Sequence, residues 1–156
     1  MQSNVDHNTL EQLVTDSQKD GIQKLVIGAV IRKEGKFLLL ERIPSDFMGG
    51  LVELPSGTVD AGEDLLTALA REVQEETGLV ITTVLAYLGP FDYTSGSGKK
   101  TRQFNFLVET APDDEVKLEP SEHQAYYLVA LSDEAFNTPN ISDATKAVLK
   151  TAVQQF

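Results

Sequence analysis

The chain has 156 residues, which is enough for one domain with a buried core but short for two. Hydrophobic residues make up 41%, as in ordinary globular proteins, and no apolar run is long enough to cross a membrane. The absence of cysteine excludes disulfides, thiol catalysis and thiolate metal sites. A net charge of −11 disfavours binding to duplex nucleic acid. It permits a small anionic substrate, because a divalent cation reverses the local sign of a carboxylate cluster.

The first 21 residues are predicted to form a polar extension ahead of the folded domain. Leu10, Leu13 and Val14 have the spacing of a short helix. The segment MQSNVDHNTLEQ lacks the basic start and apolar stretch of a signal peptide, so we expect a cytoplasmic protein that does not contact membranes. With His7 and His123 as the only histidines, a multi-histidine zinc site is not expected.

Strand patterns begin at Gln23. KLVIGAVIR and FLLLER are apolar segments joined by KEGK, which predicts two strands with a tight turn at Glu34-Gly35. LVEL is predicted to be a short strand and PSGTVDAGE a long loop. Further along the chain, LVITTVLAYLG, PFDYT, TRQFNFLVET and QAYYLVAL are predicted to be strands, SGSGKK a hairpin loop, and SDEAF a single helical turn.

Two amphipathic helices are predicted among these strands. Within residues 64–77, apolar residues recur at i, i+4 and i+8 from Leu65, and Gly78 occupies the place of the residue that ends a helix. ISDATKAVLKTAVQQF is predicted to be the closing helix, with Ser142 as its N-cap. The pattern indicates one α/β domain with a mixed sheet, from residue 22 to residue 156.

The first of these helices ends in REVQEETGL, which packs three glutamates into five residues. A helix turns about 100° per residue, which puts Glu72, Glu75 and Glu76 on one arc beside the apolar stripe. Two unit charges about 4 Å apart repel by about 4 kcal/mol at an effective dielectric of 20. A hard divalent cation that prefers oxygen ligands, Mg²⁺ or Mn²⁺, removes that repulsion. The alternative is a solvated acidic helix face.

The stretch GTVDAGEDLLTALAREVQEETGL, residues 57–79, resembles the Nudix box, the signature of the Nudix hydrolase family. Every defining position of that signature is filled. The order of the predicted strands around the box is also similar to that of the family, so the resemblance extends over residues 22–156. It implies a Nudix-type α/β/α sandwich with a mixed β-sheet, and it leaves the N-terminal extension unexplained.

The resemblance implies a metal-dependent reaction at the box. The cation would be Mg²⁺ or Mn²⁺, and its ligands would be Glu72, Glu75, Glu76 and the backbone carbonyl of Gly57. Arg71 would orient the glutamates, and Glu63 would fix the preceding loop onto the helix. Glu122, in a loop before a strand, is a candidate for the carboxylate that accepts a proton from water. The alternative for Glu122 is a solvated loop residue, and His123 beside it is expected to be structural or peripheral.

Two groups of residues outside the box are candidates for substrate binding. Lys99, Lys100 and Arg102 are the densest basic cluster in an acidic chain, and they could hold a phosphate or a ribose. The alternative is a solubilising hairpin tip. Phe47 and Tyr93 could each stack on a base. The alternative for Tyr93 is a place in the core.

By resemblance, the reaction is hydrolysis of a nucleoside diphosphate linked to another group, which releases a nucleoside monophosphate. The extra residues typical of the ADP-ribose and dinucleoside polyphosphate groups are absent at their distances after the box, because Pro90 and Tyr93 follow it too closely. This elimination favours a nucleoside triphosphate or an oxidised nucleotide. Alternatives are a nucleotide-sugar or ADP-ribose pyrophosphatase and a non-catalytic nucleotide-binding Nudix module. The sequence leaves open whether the protein forms a homodimer.

Overall fold

A computed structural model of the protein describes residues 1–46, 48–132 and 140–155. The strands of this part are β1 (Gln2–Ser3), β2 (Lys24–Lys33), β3 (Lys36–Arg42), β4 (Val52–Glu53), β5 (Ser56–Thr58), β6 (Ile81–Thr94), β7 (Lys100–Thr110) and β8 (His123–Val129). Its helices are α1 (His7–Lys19), α2 (Leu65–Thr77) and α3 (Asp143–Val153). Phe47 and most of the segment SDEAF lie outside the described residues, so their predicted roles are not addressed by the structure.

The strands form one mixed sheet in the order β1-β6-β7-β2-β3-β4. In addition, β5 pairs with β2, and β8 pairs with β3. The central strands β2 and β7 are parallel, whereas β2–β3, β3–β8 and β6–β7 are antiparallel. Runs of buried residues along β2 and β7 are typical of strands that are covered on both faces.

Helices cover both faces of this sheet. On one face, Leu69 of α2 and Ile27 of β2 belong to one apolar cluster, and Leu13 of α1 packs against it. On the opposite face, Leu149 of α3 shares a second cluster with Val30 of β2. Successive side chains of a strand point to opposite faces, so β2 contributes to both cores. The α/β/α sandwich predicted from the sequence is confirmed.

Local details confirm some of the predicted elements and correct others. The turn between β2 and β3 lies at Glu34 and Gly35, both with positive φ (55° and 74°). The two strands predicted from LVITTVLAYLG and PFDYT are one strand, β6. The register of its pairing with β7 shifts just before Gly89, where φ is 99°, and the pairing continues beyond this irregularity. The segment PSGTVDAGE is not all loop, because β5 pairs with β2 and sets Gly57 opposite Ile27.

The N-terminal extension packs against the rest of the chain. β1 adds in parallel to the edge strand β6. The region also contains a helix, α1, which is 13 residues long. It begins after Asp6, whose side chain accepts a hydrogen bond from the backbone N–H of Thr9 at 2.7 Å. No helix within the described ranges has the length and apolarity required to cross a bilayer.

Candidate metal centre

Helix α2 has the limits that its sequence predicts. The side chain of Asp64 accepts a hydrogen bond from the backbone N–H of Thr67 at 2.8 Å, which satisfies one donor of the first turn. Gly78 ends the helix in the left-handed conformation with φ of 72°, where a side chain would be strained. Leu69 and Val73 are fully buried beneath the helix. Both ends of the helix that carries the glutamates are therefore fixed.

Strand β5 brings the backbone of Gly57 against the carboxyl group of Glu72. A Cβ atom at position 57 would overlap Cδ and both carboxylate oxygens of Glu72. Only glycine allows this approach without displacing Glu72. The neighbouring backbone N–H, that of Ser56, donates to Oε1 of Glu76 at 2.7 Å. One short strand thus contacts two of the three box glutamates.

Arg71 links the loop before α2 to two of the box glutamates. Its Nε and Nη2 donate to the two oxygens of Glu63, each at 2.8 Å. Its Nη1 donates to Glu72 at 2.7 Å and to Glu75 at 3.3 Å. The hydrogen bonds from Arg71, helped by the backbone N–H of Asp60, lower the pKa of Glu63 to about 2. Arg71 therefore connects the loop, through Glu63, with the helix, through Glu72 and Glu75.

The three box glutamates differ sharply in exposure. The side chain of Glu75 is 58% exposed, that of Glu72 15%, and that of Glu76 only 6%. The sequence predicts that all three flank the apolar stripe, whereas Glu76 is one of the buried residues of α2. Its carboxyl group contacts Ser56, the first residue of β5, and His123, the first residue of β8.

This burial changes the acid–base behaviour of the glutamates. Burial raises the pKa of Glu76 to about 9. The carboxylates of Glu122, Glu53 and Glu72 add to that increase. Burial also raises the pKa of Glu72, although Arg71 opposes this shift. Carboxylates crowded in this way are stabilised by a proton or by a bound cation.

A second set of hydrogen bonds approaches Glu76 from the sheet. Arg42 donates through Nε and Nη2 to Glu53 at 2.7 and 2.9 Å. Nε2 of His123 lies 3.0 Å from Oε2 of Glu53. Although burial opposes ionisation, His123 and Arg42 hold the pKa of Glu53 below its usual range. Nδ1 of the buried His123 lies 3.5 Å from Oε2 of Glu76.

Sequence reasoning does not identify Arg42 and does not connect Glu53 with His123. Strand pairing brings them together, because β3 sets Arg42 opposite His123 of β8 and pairs with β4 on its other edge. The available signal is a charged Glu53 between the buried apolar residues Val52 and Leu54. A carboxylate in that position needs a partner, but the sequence does not say which one.

Glu122 is exposed and reaches the same place from the loop before β8. Ligand atoms of Glu76, Glu122 and His123 lie within 4.8 Å of one another, so this group could hold a metal ion. In the described part of the chain, the three box glutamates do not converge to that extent. The carboxylate oxygens, and the close approach of Gly57 to Glu72, fit a divalent cation.

The basic cluster has partners of its own. Nζ of Lys100 donates to the backbone carbonyl of Asp20 at 2.8 Å. Arg102 donates to Asp20 at 2.9 Å and to Asp92 at 2.8 and 3.0 Å. Lys99 instead lines an open cleft of about 640 Å³ next to the loop that carries Glu63. Lys100 and Arg102 therefore bind the end of α1 to β6 and β7.

Tyr93 is the aromatic candidate within the described residues. It is 39% exposed, near the end of β6. Partial burial raises its pKa, and the charges of Arg42 and Glu53 influence it in opposite directions. Tyr93 is thus near Arg42 and Glu53, the hydrogen-bonded pair that contacts His123.

Comparison with known proteins identifies the domain. The protein-family model described as the NUDIX domain matches residues 22–149 of the sequence. A CTP pyrophosphohydrolase from Escherichia coli K12 is 31% identical over 100 residues, which are 64% of this chain and 70% of that protein. An ADP-ribose pyrophosphatase from Methanocaldococcus jannaschii is 39% identical over 56 residues, which are 36% of this chain and 32% of that protein.

Solved structures agree with the sequence relatives. The chain superposes on a MutT NUDIX hydrolase from Burkholderia pseudomallei with a TM-score of 0.69 and 28% identity, over 82% of this chain and 96% of that one. The matched domain includes β5, α2 and β8, which carry Gly57, the three box glutamates and His123. The chain therefore belongs to the Nudix hydrolase family, whose members act on pyrophosphate bonds.

Proposed function

We propose that the protein hydrolyses the pyrophosphate linkage of a nucleoside diphosphate derivative and releases a nucleoside monophosphate. The proposed substrate is a nucleoside triphosphate or an oxidised nucleotide, and the proposed cofactor is Mg²⁺ or Mn²⁺. The observation that carries the proposal is the contact between Gly57 and Glu72, where the absent side chain admits a carboxylate. If the Gly57–Glu72 contact served stability alone, residue 72 would not need a carboxylate. A cation bound between the backbone carbonyl and the carboxylates needs one, because such cations prefer oxygen ligands.

The residues of this chain have distinct parts in the proposal. The proposed cation ligands are Glu72, Glu75, Glu76 and the carbonyl of Gly57. Arg71 orients Glu72 and Glu75 while it is itself fixed by Glu63. When bound, the cation neutralises pyrophosphate oxygens and lowers the pKa of a bound water.

Glu122 is the proposed proton acceptor. It is exposed, so its carboxylate can reach a water molecule at the mouth of the site, and its ligand atom lies within 4.8 Å of those of Glu76 and His123. A general base has to lie within hydrogen-bond reach of the proton that it removes. Tyr93 and Lys99 are the proposed substrate contacts, with Tyr93 stacking on the base, whereas Lys100 and Arg102 are already bound by Asp20 and Asp92.

The substrate proposal has support from one relative and an alternative from another. The Escherichia coli relative is a CTP pyrophosphohydrolase, and its match covers 70% of its length. The archaeal relative is an ADP-ribose pyrophosphatase, but the match covers only about a third of it. The shorter match gives less support to a diphosphate-linked sugar as substrate, which is why we prefer a triphosphate. The proposed partner is therefore a small nucleotide and not duplex nucleic acid, and the proposed location is the cytoplasm.

A nucleotide panel tests this function. CTP, 8-oxo-dGTP, ADP-ribose and a nucleotide sugar are incubated with Mg²⁺ or Mn²⁺, and the release of nucleoside monophosphate is measured. We expect turnover of a triphosphate, a loss of kcat of two or more orders of magnitude in Glu76→Gln, and no change in Glu11→Gln on the exposed face of α1. Tight nucleotide binding without turnover in either metal would instead identify a binding module.

A further inference from the structure

Two amide side chains lie on a buried face of the central strand β7, where apolar side chains are expected. The other face of β7 carries Phe104 and Phe106, which belong to the apolar cluster beneath α2. On the face that turns toward α3, Gln103 is 6% exposed and Asn105 is fully buried, with the apolar Leu107 next along the strand. A buried amide costs free energy unless its donors and acceptors have partners. The two amides therefore call for an explanation.

Hydrogen bonds fix the orientation of both amides. Nδ2 of Asn105 donates to the backbone carbonyl of Gly89 at 3.1 Å, and a carbonyl can only accept. Oδ1 of Asn105 is therefore the atom that faces Gln103, and it accepts a hydrogen bond from Nε2 of Gln103 at 2.8 Å. Because Nε2 of Gln103 is held in this way, Oε1 of the same amide also has a fixed position.

Gly28 leaves the space that the two amides occupy. It lies opposite Asn105 in the parallel pairing of β2 with β7. A Cβ atom at position 28 would overlap Nε2 of Gln103 and Oδ1 of Asn105, which are the two atoms of their hydrogen bond. A glycine inside a strand has no side chain to pack and weakens the strand. Position 28 therefore favours the amide pair over the apolar packing that a larger residue would supply.

One acceptor of the pair is left for a ligand. Oε1 of Gln103 accepts no hydrogen bond within the described residues. In that part of the chain, the enclosed polar side-chain atoms that lack a partner belong to Tyr87 and His123, so Oε1 of Gln103 is open to solvent. An oriented acceptor on a side chain that is otherwise buried can receive a hydrogen bond from a group that enters from solvent.

The amide pair lies at the same level of the sheet as the candidate metal centre. Gly28 pairs with Asn105 on one side and with Ser56 on the other, and the backbone N–H of Ser56 binds Glu76. Two strand spacings separate Asn105 from Ser56, which is about 10 Å. That separation is comparable with the distance from the phosphate of a nucleotide to the far edge of its base.

Aromatic side chains share the face of the amide pair. Phe91 lies directly opposite Gln103, and Tyr93 lies opposite Thr101, in the antiparallel pairing of β6 with β7. Directly opposite residues of such a pair point to the same face. The rings of Phe91 and Tyr93 are 6.0 Å apart. A base that stacks on Tyr93 therefore has an edge close to Gln103.

We propose that Gln103, oriented by Asn105, selects nucleotides whose base carries an exocyclic amino group, cytosine or adenine, over the isosteric oxo bases uracil and hypoxanthine. Oε1 of Gln103 accepts a hydrogen bond from the amino group, whereas the oxygen of an oxo base is a second acceptor and leaves both unpaired. An unrestrained amide can turn over and serve either base, so the selection depends on Asn105. The inference rests on the proposed function, because it specifies the base of that substrate.

Equilibrium binding of nucleoside monophosphates in the presence of Mg²⁺ tests the selection without any hydrolysis. CMP is compared with UMP, and AMP with IMP, by isothermal titration calorimetry. In at least one of these pairs we expect the amino form to bind about tenfold more tightly than the oxo form. An analogue of that amino form, with hydrogen in place of the amino group, should bind as weakly as the oxo form, because Oε1 of Gln103 is again left without a donor.

Two variants separate the acceptor from the residue that orients it. Gln103→Met keeps a side chain of similar size without the amide, and we expect the amino and oxo forms to bind within about twofold of each other. Asn105→Leu lets the amide of Gln103 turn over, so the oxo form should gain affinity while the amino form keeps its own. Gln12→Met makes the first change on the exposed face of α1 and should retain the selection. A purely structural amide pair would lower the melting temperature in both variants and leave the affinity ratio unchanged.

Three results would overturn the assignment. The first is equal binding, or no binding, of the amino and oxo forms by the wild type. The second is a preference that persists in folded Gln103→Met. The third is tight binding of the analogue without the amino group, a result that needs no variant and is decisive even if neither variant folds by circular dichroism. Base selection in binding without hydrolysis would refute only the proposed function, whereas hydrolysis without base selection would refute only this inference.

Discussion

Arg71 and Glu63 form a two-point ion pair, with 2.8 Å between each nitrogen and its oxygen. The planar guanidinium matches the two carboxylate oxygens, and this geometry leaves Nη1 directed at Glu72. Arg71 also donates to the backbone carbonyl of Thr58 at 3.1 Å. One side chain thereby fixes the loop after β5 and the orientation of a proposed cation ligand.

Replacing Arg71 with lysine tests this double role. An ammonium group is a point charge and cannot make the two-point contact and the contact with Glu72 together. We expect Arg71→Lys to lower kcat by about 10- to 100-fold, the range observed when residues that orient metal ligands are lost. Steady-state kinetics with Mg²⁺ measure the effect. Arg32→Lys, at an ion pair with Glu109 across β2 and β7, is the matched control, and equal losses in both variants would contradict the prediction.

Gly57→Ala tests the contact with Glu72. The new Cβ would overlap the carboxyl group, which is the far end of a flexible side chain and can rotate away. We therefore expect a small loss of stability, about 1 kcal/mol, but a loss of activity of at least tenfold because Glu72 is displaced. Thermal melts and kinetics separate the two effects. Ser56→Ala retains the backbone N–H that binds Glu76 and should behave as wild type.

Local sequence patterns predict the elements that depend on local physics. The limits of α2 follow from Asp64 as its N-cap and Gly78 as its left-handed end, and both are confirmed. The sandwich follows from apolar strands and amphipathic helices. The spacing of Glu72, Glu75 and Glu76 places them on one arc, but it does not reveal that Glu76 is buried. That burial comes from β5 and β8, whose positions no periodicity specifies.

The rest of the site could not be predicted because it depends on pairing between distant strands. Arg42 and His123 are opposite each other on β3 and β8. Nothing in the sequence around Arg42 indicates that partner. The same reasoning explains Arg102, which appears in the sequence as one of three neighbouring cations but is bound by Asp20 and Asp92. Each acquires its partner only when the sheet is formed.

The pKa of Glu76 predicts a pH dependence of stability in the metal-free protein. Its folded-state value, about 9, lies above the ordinary value of 4.5. Between those values the folded state binds more protons than the unfolded state, so stability falls as pH rises. We expect melting temperatures in a chelator to decline from about pH 5 to about pH 9. Glu76→Gln, neutral at every pH, should flatten this decline, and an identical decline in wild type and variant would argue against it.

The last prediction separates the members of the basic cluster. Arg102 is 15% exposed and is bound to Asp20 and Asp92, so Arg102→Ala should lower the melting temperature and leave KM unchanged. Lys99 lines the cleft beside the loop of Glu63, and it can add positive potential for an anionic substrate. We expect Lys99→Ala to raise KM several-fold with kcat nearly unchanged, which is the pattern of lost uniform binding.

Salt dependence and a matched lysine complete the test of Lys99. Exposed charges are screened over about 8 Å at physiological ionic strength, so the increase in KM should shrink as salt is added. Lys36, exposed at the start of β3 next to the other hairpin turn, is the control, because Lys36→Ala removes the same charge away from the cleft. An unchanged KM for Lys99→Ala at low salt would leave Lys99 as a solvated residue of the hairpin tip. A KM that rises equally in Lys36→Ala would show that overall charge, and not position, attracts the substrate.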